Sequence, residues 1–286
     1  MGRYDRSPYR VTSLRRRAVQ RPHSGETGKT MSLSAEQKST FDEKGFIVLK
    51  SFFNQDVMRA VSDWLDQLQD TSSNTSAHAA KYYEKSPLTG DNILVRVEHV
   101  LGDHDAEIAE LLLDSKTIDA LTTLFDEAPV LFKEKINYKH PGCRADKLHQ
   151  DQAAGWNAYS DFFITMCIAV DPNREENAAL RFMNSGNYKK SLMKDEWRPL
   201  SDKSDVSWAD DEYVMLEADP GDVIFFDCYV PHGSPPNDSD KGRRNVYLTF
   251  NRASAGDLRA RYYADKWKTY PPNDIEHARS ADSFRV

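Results

Sequence analysis

The sequence predicts a mainly β protein with flanking helices: a double-sheet jelly roll buttressed by helices on one face. Two observations carry this. From Val130 onwards the chain breaks into short apolar or alternating segments separated by turns rich in Pro, Gly, Asn and Asp. Before that point, helical apolar spacing dominates and strands are few. No internal repeat interrupts the pattern.

Taken in order, Ser34-Ala-Glu-Gln37 has the form of a capping box and Gly45 is a natural stop, so residues 35–44 read as a helix. Phe46–Leu49 reads as a short buried strand. Asn54 or Asp56 caps a second helix, whose apolar positions Val57, Val61, Trp64, Leu65 and Leu68 share one side. Residues 70–90, rich in Ser, Thr, Asn and Lys, read as loop. Ile93–Val100 alternates as a strand, and a helical region runs from about Asp105 to Phe125. The strands expected after that are Leu131–Lys139, Asp161–Val170, Glu212–Ala218, Asp222–Asp227 and Asn245–Asn251. Asn184–Asp211 is polar, carries Trp197 and Trp208, and is long enough to read as an inserted loop or lid. The expected organisation is a basic disordered extension over 1–31 and one domain over 32–286. That domain has helical support (32–129), a jelly-roll core (130–255) and a C-terminal segment (256–286).

Composition narrows the function classes. With 39% hydrophobic and 29% charged residues the 286-residue chain has ample material for a core, and no apolar run approaches the ~20 residues of a bilayer span. Residues 1–30 hold eight basic and two acidic side chains, a net +6, which leaves −13 for residues 31–286 of a chain total of −7. An acidic body makes nucleic acid an unsuitable partner. Membrane is not expected as a partner either, and the assembly expected is a monomer or homodimer. Three scattered cysteines form no spaced pair, which points to a reducing, cytoplasmic setting rather than a disulfide framework or structural zinc. The Arg-rich start also fits a mitochondrial transit segment or a start placed upstream of Met31.

One constellation carries chemistry. His149-Gln150-Asp151 places an imidazole and a carboxylate two residues apart, and His232 follows a tight turn and an apolar strand in DPGDVIFFDCYVPHGS (219–234). Two imidazoles and one carboxylate occupy one face of an octahedral metal and leave the other open, as non-haem Fe(II) requires to bind a cosubstrate and O2. Eleven residues after His232 comes Arg243-Arg244. On the strand it begins, Arg243, Asn245, Tyr247, Thr249 and Asn251 share a polar face, while Val246, Leu248 and Phe250 take the apolar back. Strand parity therefore puts Arg243, and not Arg244, on the side that could clamp a carboxylate such as that of 2-oxoglutarate.

KEKINYKHPG (133–142), HQD (149–151), PGDVIFFDCYVPHGS (220–234) and GRRNVYLTFN (242–251) together resemble the phytanoyl-CoA dioxygenase family of Fe(II)- and 2-oxoglutarate-dependent oxygenases, over roughly residues 40–265. The resemblance implies a cupin-like double-stranded β-helix, with His149, Asp151 and His232 as iron ligands and catalytic centre. It implies Fe(II), 2-oxoglutarate and O2 as cofactors, with Arg243 binding 2-oxoglutarate. Lys135 and Asn137 share the pocket face of their strand with Lys133 and Lys139 and are expected to help hold the cosubstrate, as is Thr165. Asp151 stands where halogenating relatives carry a small residue, which favours hydroxylation or a related oxidation.

The substrate expected is a small molecule. Gln152 and Trp156 follow the ligand turn and should overlook the open metal position. Arg96 and Glu98 share a strand face and could bind the acid and amine of a zwitterion. KINYK with YLTFNRASAGDLRARYYADK (247–266) is similar to the branch that includes aminoethylphosphonate dioxygenases, which implies a small amine-bearing acid such as an amino acid or aminophosphonate. The competing readings are an oxygenase that tailors a secondary metabolite and a non-catalytic binding protein on the same fold.

Overall fold

The structure is a computed structural model that describes residues 33–70, 79–102, 105–194, 199–200 and 212–280. The expected basic extension, and Trp197 and Trp208 of the inserted loop, lie outside the described residues. Helix α1 (Ala35–Lys44) starts on the capping box read from the sequence: Ser34 Oγ accepts from Gln37 N at 3.1 Å and Gln37 Oε1 accepts from Ser34 N at 2.8 Å. Gly45 ends it in the left-handed region at φ 79° and delivers the chain into β1 (Phe46–Leu49). Asn54, and not Asp56, caps α2 (Gln55–Asp70), its side chain accepting from Val57 N at 2.9 Å.

The stretch 70–90, read as loop, contains a strand: β2 (Ala80–Lys85) pairs antiparallel with β3 (Asn92–Glu98). Its sequence AKYYEK hides it because Lys81 and Glu84 are buried, so polar-out alternation is lost. The helical region after it is two helices, α3 (Ala106–Leu112) and α4 (Ser115–Phe125), separated where the Asp114 carboxylate accepts from Thr117 N at 2.8 Å.

The later strands are β4 (Pro129–Lys139), β5 (Asp146–His149), β6 (Ile164–Ala169), β7 (Arg181–Met183), β8 (Tyr213–Met215), β9 (Val223–Asp227), β10 (His232–Ser234) and β11 (Arg243–Arg252), followed by α5 (Arg259–Thr269). They form two antiparallel sheets. The major one has the order β1-β9-β6-β11-β4-β3-β2 and the minor one β5-β10-β7-β8. Both edges of the major sheet, β1 on one side and β3-β2 on the other, therefore come from the region expected to be helical support. β5, β7, β10 and α5 have no counterpart among the elements expected from sequence. The three strands are three or four residues long, too short to display a period.

Strand parity sorts the core into layers. Ile136, Met166, Phe225, Val246 and Leu248 face the helices and pack with Phe41, Val61, Trp64, Leu65, Leu121 and Phe125. Cys167, Ile224, Phe226 and Tyr247 face the minor sheet and pack with Leu180, Phe182 and Met183. This is the helix-backed double sheet that the turn spacing predicted. β4 departs from simple alternation. Thr249 pairs with Lys133 and Phe250 with Leu131, so Phe132 is an extra residue in a bulge. Phe132 consequently joins Trp156, Phe163 and Tyr262 in a separate cluster beneath α5. No helix among the described residues is long and apolar enough to cross a membrane.

Candidate metal centre

His149 is the last residue of β5, and His232, the first of β10, lies directly opposite it in the antiparallel register. Asp151 lies beyond the end of β5 and opens a 3-10 turn over Asp151–Ala154. The turn still brings the carboxylate back: Asp151 Oδ1 lies 3.6 Å from His149 Nε2 and 4.0 Å from His232 Nε2. The donor atoms of all three fall within 4.8 Å of one another, and all three residues are buried.

Each imidazole is held by its other nitrogen. His149 Nδ1 contacts the Lys147 carbonyl at 2.6 Å and His232 Nδ1 the Val230 carbonyl at 3.0 Å. A carbonyl only accepts, so Nδ1 carries the proton and Nε2 presents its lone pair inward. Burial, with His149 alongside, lowers the His232 pKa to about 4, so the ring is neutral near pH 7. For Asp151, burial resists ionisation. The nearby His149 and His232 rings and the Lys135 ammonium outweigh it and hold the carboxyl well below the usual carboxylate range. Asp151 Oδ1 has no hydrogen-bond partner. Two inward-facing imidazole nitrogens and an orphaned carboxylate oxygen converging on one point fit a divalent metal with open positions.

Two buried polar residues brace this arrangement, and sequence reasoning singled out neither. Gln150, between the two ligands, donates through Nε2 to the carbonyls of Tyr229 at 2.6 Å and Ser191 at 2.8 Å, and its Oε1 accepts from Met193 N at 2.7 Å. One amide thus joins the His149–Asp151 turn, the turn before His232 and the segment after β7. Asp227 Oδ1 accepts from the amides of Tyr229 and Val230 at 2.9 and 2.7 Å, and its Oδ2 accepts from Tyr188 Oη at 3.0 Å.

A cavity beside His149 and His232 is lined by Lys135, Asn137, Leu180 and Tyr247. Lys135 is buried with Nζ 5.0 Å from the centre of the Tyr247 ring, and burial lowers its pKa. Asn137 Oδ1 has no hydrogen-bond partner. Asn137 also lines an adjoining cavity with Arg96 and Arg243. Arg243 is buried on the face between the sheets. Its Nε and Nη2 donate to the Ala178 carbonyl at 3.0 and 2.5 Å. Arg244 takes the other face, where it pairs two-pronged with Asp171 at 2.8 Å and reaches Asp66 at 2.6 Å. Thr165 is spent on Thr249, hydroxyl to hydroxyl at 2.9 Å, and does not line that cavity. A further network missed from sequence adjoins it: Lys139 Nζ donates to Asp146 at 3.1 Å and Ser234 at 3.0 Å.

On the side of the 3-10 turn, Gln152 donates to the Ser160 carbonyl at 3.0 Å while its Oε1 has no partner. Trp156 packs edge-on against Phe132 and Phe163, and also borders an open groove with Tyr159, Tyr262 and Lys266. Arg96 and Glu98 do share a face, 3.4 Å apart, but both oxygens of Glu98 already accept from Lys266 of α5 at 2.6–2.7 Å. Burial opposes the charge on Glu98, yet Lys266, Lys133 and Arg96 keep its pKa down at about 2. Without α5 in view, the sequence could not reveal that this carboxylate has a resident partner.

Comparison with known proteins adds to the geometry. The model of the family described as phytanoyl-CoA dioxygenase (PhyH) matches residues 41–245. A 2-aminoethylphosphonate dioxygenase of an uncultured bacterium is 35% identical over 237 residues, 83% of this chain and 88% of that protein. A methylphosphonate hydroxylase of Gimesia maris is 33% identical over 244 residues, 85% of this chain and 90% of that protein. Among solved structures, EctD from S. alaskensis with 2-oxoglutarate and 5-hydroxyectoine shares the fold, with a TM-score of 0.62 at 20% identity, covering 81% of this chain and 80% of that one.

Proposed function

The chain belongs to the phytanoyl-CoA dioxygenase family and is an Fe(II)- and 2-oxoglutarate-dependent dioxygenase, and from that premise we propose that it oxidises a C–H bond of a small amine-bearing acid such as an amino acid or aminophosphonate. The observation that carries the reading is the convergence of His149, Asp151 and His232, with inward lone pairs and an orphaned carboxylate oxygen. In this reading those three residues hold the iron. The chemistry supplied there by Fe(II) is the oxidation of 2-oxoglutarate to succinate and carbon dioxide by O2, coupled to oxidation of a substrate C–H bond.

The protein's own residues bind, orient and exclude water. Lys135 and Asn137 are assigned to the cosubstrate because they line the cavity beside both histidines. Arg243, in the adjoining cavity that shares Asn137, is assigned to its far carboxylate. Gln152 and Trp156 are assigned to the substrate side, where an unpartnered amide oxygen and an aromatic wall follow the ligand turn. Two relatives whose names state phosphonate substrates support the choice of a small anionic molecule.

Anaerobic titration of the protein with Fe(II) and 2-oxoglutarate should produce a weak visible charge-transfer band, whereas a non-catalytic binding protein would give none. Succinate formation should be stimulated by a member of the proposed substrate class. His149→Ala, Asp151→Ala and His232→Ala should each abolish turnover, and Arg243→Ala should raise the 2-oxoglutarate requirement steeply. Full substrate oxidation by the Asp151→Ala protein would overturn the assignment.

A further inference from the structure

Arg243 and Arg244 are neighbours with opposite surroundings. Arg244 is paired with two carboxylates, Asp171 and Asp66. Arg243 is 2% exposed, and among the described residues its hydrogen bonds go to neutral oxygens. Its Nε lies 3.2 Å from the Asn177 carbonyl, and Nε and Nη2 both donate to the Ala178 carbonyl at 3.0 and 2.5 Å. The acid its field reaches, Asp146, is already paired with Lys139 at 3.1 Å and Arg144 at 3.5 Å. Uncharged groups build this seat. Ala178 is held at φ 66°, in the left-handed region that a residue with a side chain seldom adopts, and its carbonyl is the one that takes two donors. The Asn177 side chain closes the turn that presents it, Oδ1 accepting from Arg174 N at 2.8 Å and Nδ2 donating to the Pro172 carbonyl at 2.9 Å. From β11, the Asn245 amide pairs with that of Asn173 at 2.9 and 3.0 Å. Asn245 is buried and presents an atom 3.0 Å from Arg243 Nη1. A guanidinium only donates, so that atom is the amide oxygen. With Nε spent and one hydrogen of each terminal nitrogen engaged, each terminal nitrogen keeps one N–H, a matched pair for the two oxygens of a carboxylate.

We infer that Asn245 is a positioning residue for 2-oxoglutarate: with the Asn177–Ala178 turn it fixes the Arg243 guanidinium through neutral acceptors, so that this side chain keeps both a set direction and its full charge for the cosubstrate's far carboxylate. This rests on the reading that Arg243 takes that carboxylate. A resident carboxylate in place of the amide oxygen would hold the guanidinium equally well but would satisfy its charge, as Asp171 does for Arg244. A buried guanidinium with no carboxylate of its own is costly, and a bound carboxylate removes that cost. The neutral seat therefore converts burial of Arg243 into affinity for an anion.

The test is titration of the anaerobic Fe(II)-loaded protein with 2-oxoglutarate, followed by the charge-transfer band. Asn245→Leu keeps the volume and removes the acceptor. It should weaken 2-oxoglutarate binding by about 10-fold and leave Fe(II) affinity unchanged. In an Arg243→Ala background the same substitution should change 2-oxoglutarate affinity by less than ~2-fold, because the group it positions is gone. Asn245→Asp keeps an oxygen facing Nη1 but adds a charge, and should bind 2-oxoglutarate at least as weakly as Asn245→Leu. A role in geometry alone would instead be rescued by the aspartate. Wild-type 2-oxoglutarate affinity in either single variant, a loss that falls on Fe(II), or an equal further loss in the Arg243→Ala background overturns the inference. An Arg243→Ala protein with wild-type 2-oxoglutarate affinity overturns the underlying reading of Arg243, and this inference with it.

Discussion

Gln150 sits between two of the three ligands and spends its whole amide on holding them. Its contacts run to the turn before His232 and to the segment Ser191–Met193, so one buried side chain ties the turn that carries His149 and Asp151 to the turn that leads into His232. Replacement by methionine keeps the volume and removes all three hydrogen bonds. Gln150→Met should lower Fe(II) affinity by about 10–100-fold, the scale seen when the groups orienting a ligand are lost. Anaerobic Fe(II) titration of the apo-protein measures this, with the far-ultraviolet spectrum as a control for folding. Wild-type affinity in that variant would show that the turns hold themselves. At this scale the ligands were legible because their chemistry is rare, and the two neighbouring arginines were sorted by period-two geometry alone. Gln150 was not legible, because an amide between two ligands looks the same whether it faces solvent or three backbone groups.

At the scale of the element, the turn that launches β9 depends on glycine. Gly221 has φ 94°, and a Cβ there would lie 2.3 Å from the Phe53 carbonyl oxygen. Its neighbour Asp222 closes the turn, accepting from Asp219 N and Ser51 N, each at 2.8 Å. Both φ and the backbone clash oppose any side chain. Gly221→Ala should therefore destabilise the fold by roughly 2–4 kcal/mol, read from urea denaturation of the apo-protein. A change below ~0.5 kcal/mol would mean that the Phe53 backbone gives way freely. The Pro-Gly-Asp turn was visible in the sequence through its residue types. The bulge at Phe132 was not, since LFKEKINYK reads as an unbroken alternation and only pairing with β11 reveals the extra residue.

At the scale of the whole molecule, Asp227 ends β9 of the major sheet and fixes the turn into β10 of the minor one, so it lies at the junction of the two. Burial raises its carboxyl to about 6, against the counter-pull of Lys190, Tyr188 and two backbone amides. A folded-state pKa above the unfolded value of 3.8 means that the group's stabilising share is complete below about pH 4 and is lost as pH rises through 6. The loss approaches about 3 kcal/mol by neutral pH. Asp227→Asn should remove this part of the pH dependence, flattening apo-protein stability between about pH 4 and 7 relative to wild type. Parallel slopes for the two proteins over that range would refute the assignment of the effect to Asp227.

What the sequence determined by itself was local in origin: the helix caps, the alternating faces of the long strands, the ligand types and their order along the chain. Each follows from neighbours within one turn or one strand, where periodicity and side-chain chemistry act directly. The tertiary structure alone decided which distant groups meet. Strands of three or four residues became a sheet only by pairing across long separations. α5 brought Lys266 onto Glu98, and the antiparallel register set His232 opposite His149. Burial and charge balance at the site depend on those meetings, because the energy of an ionic group is set by what surrounds it in space and not by what adjoins it in sequence.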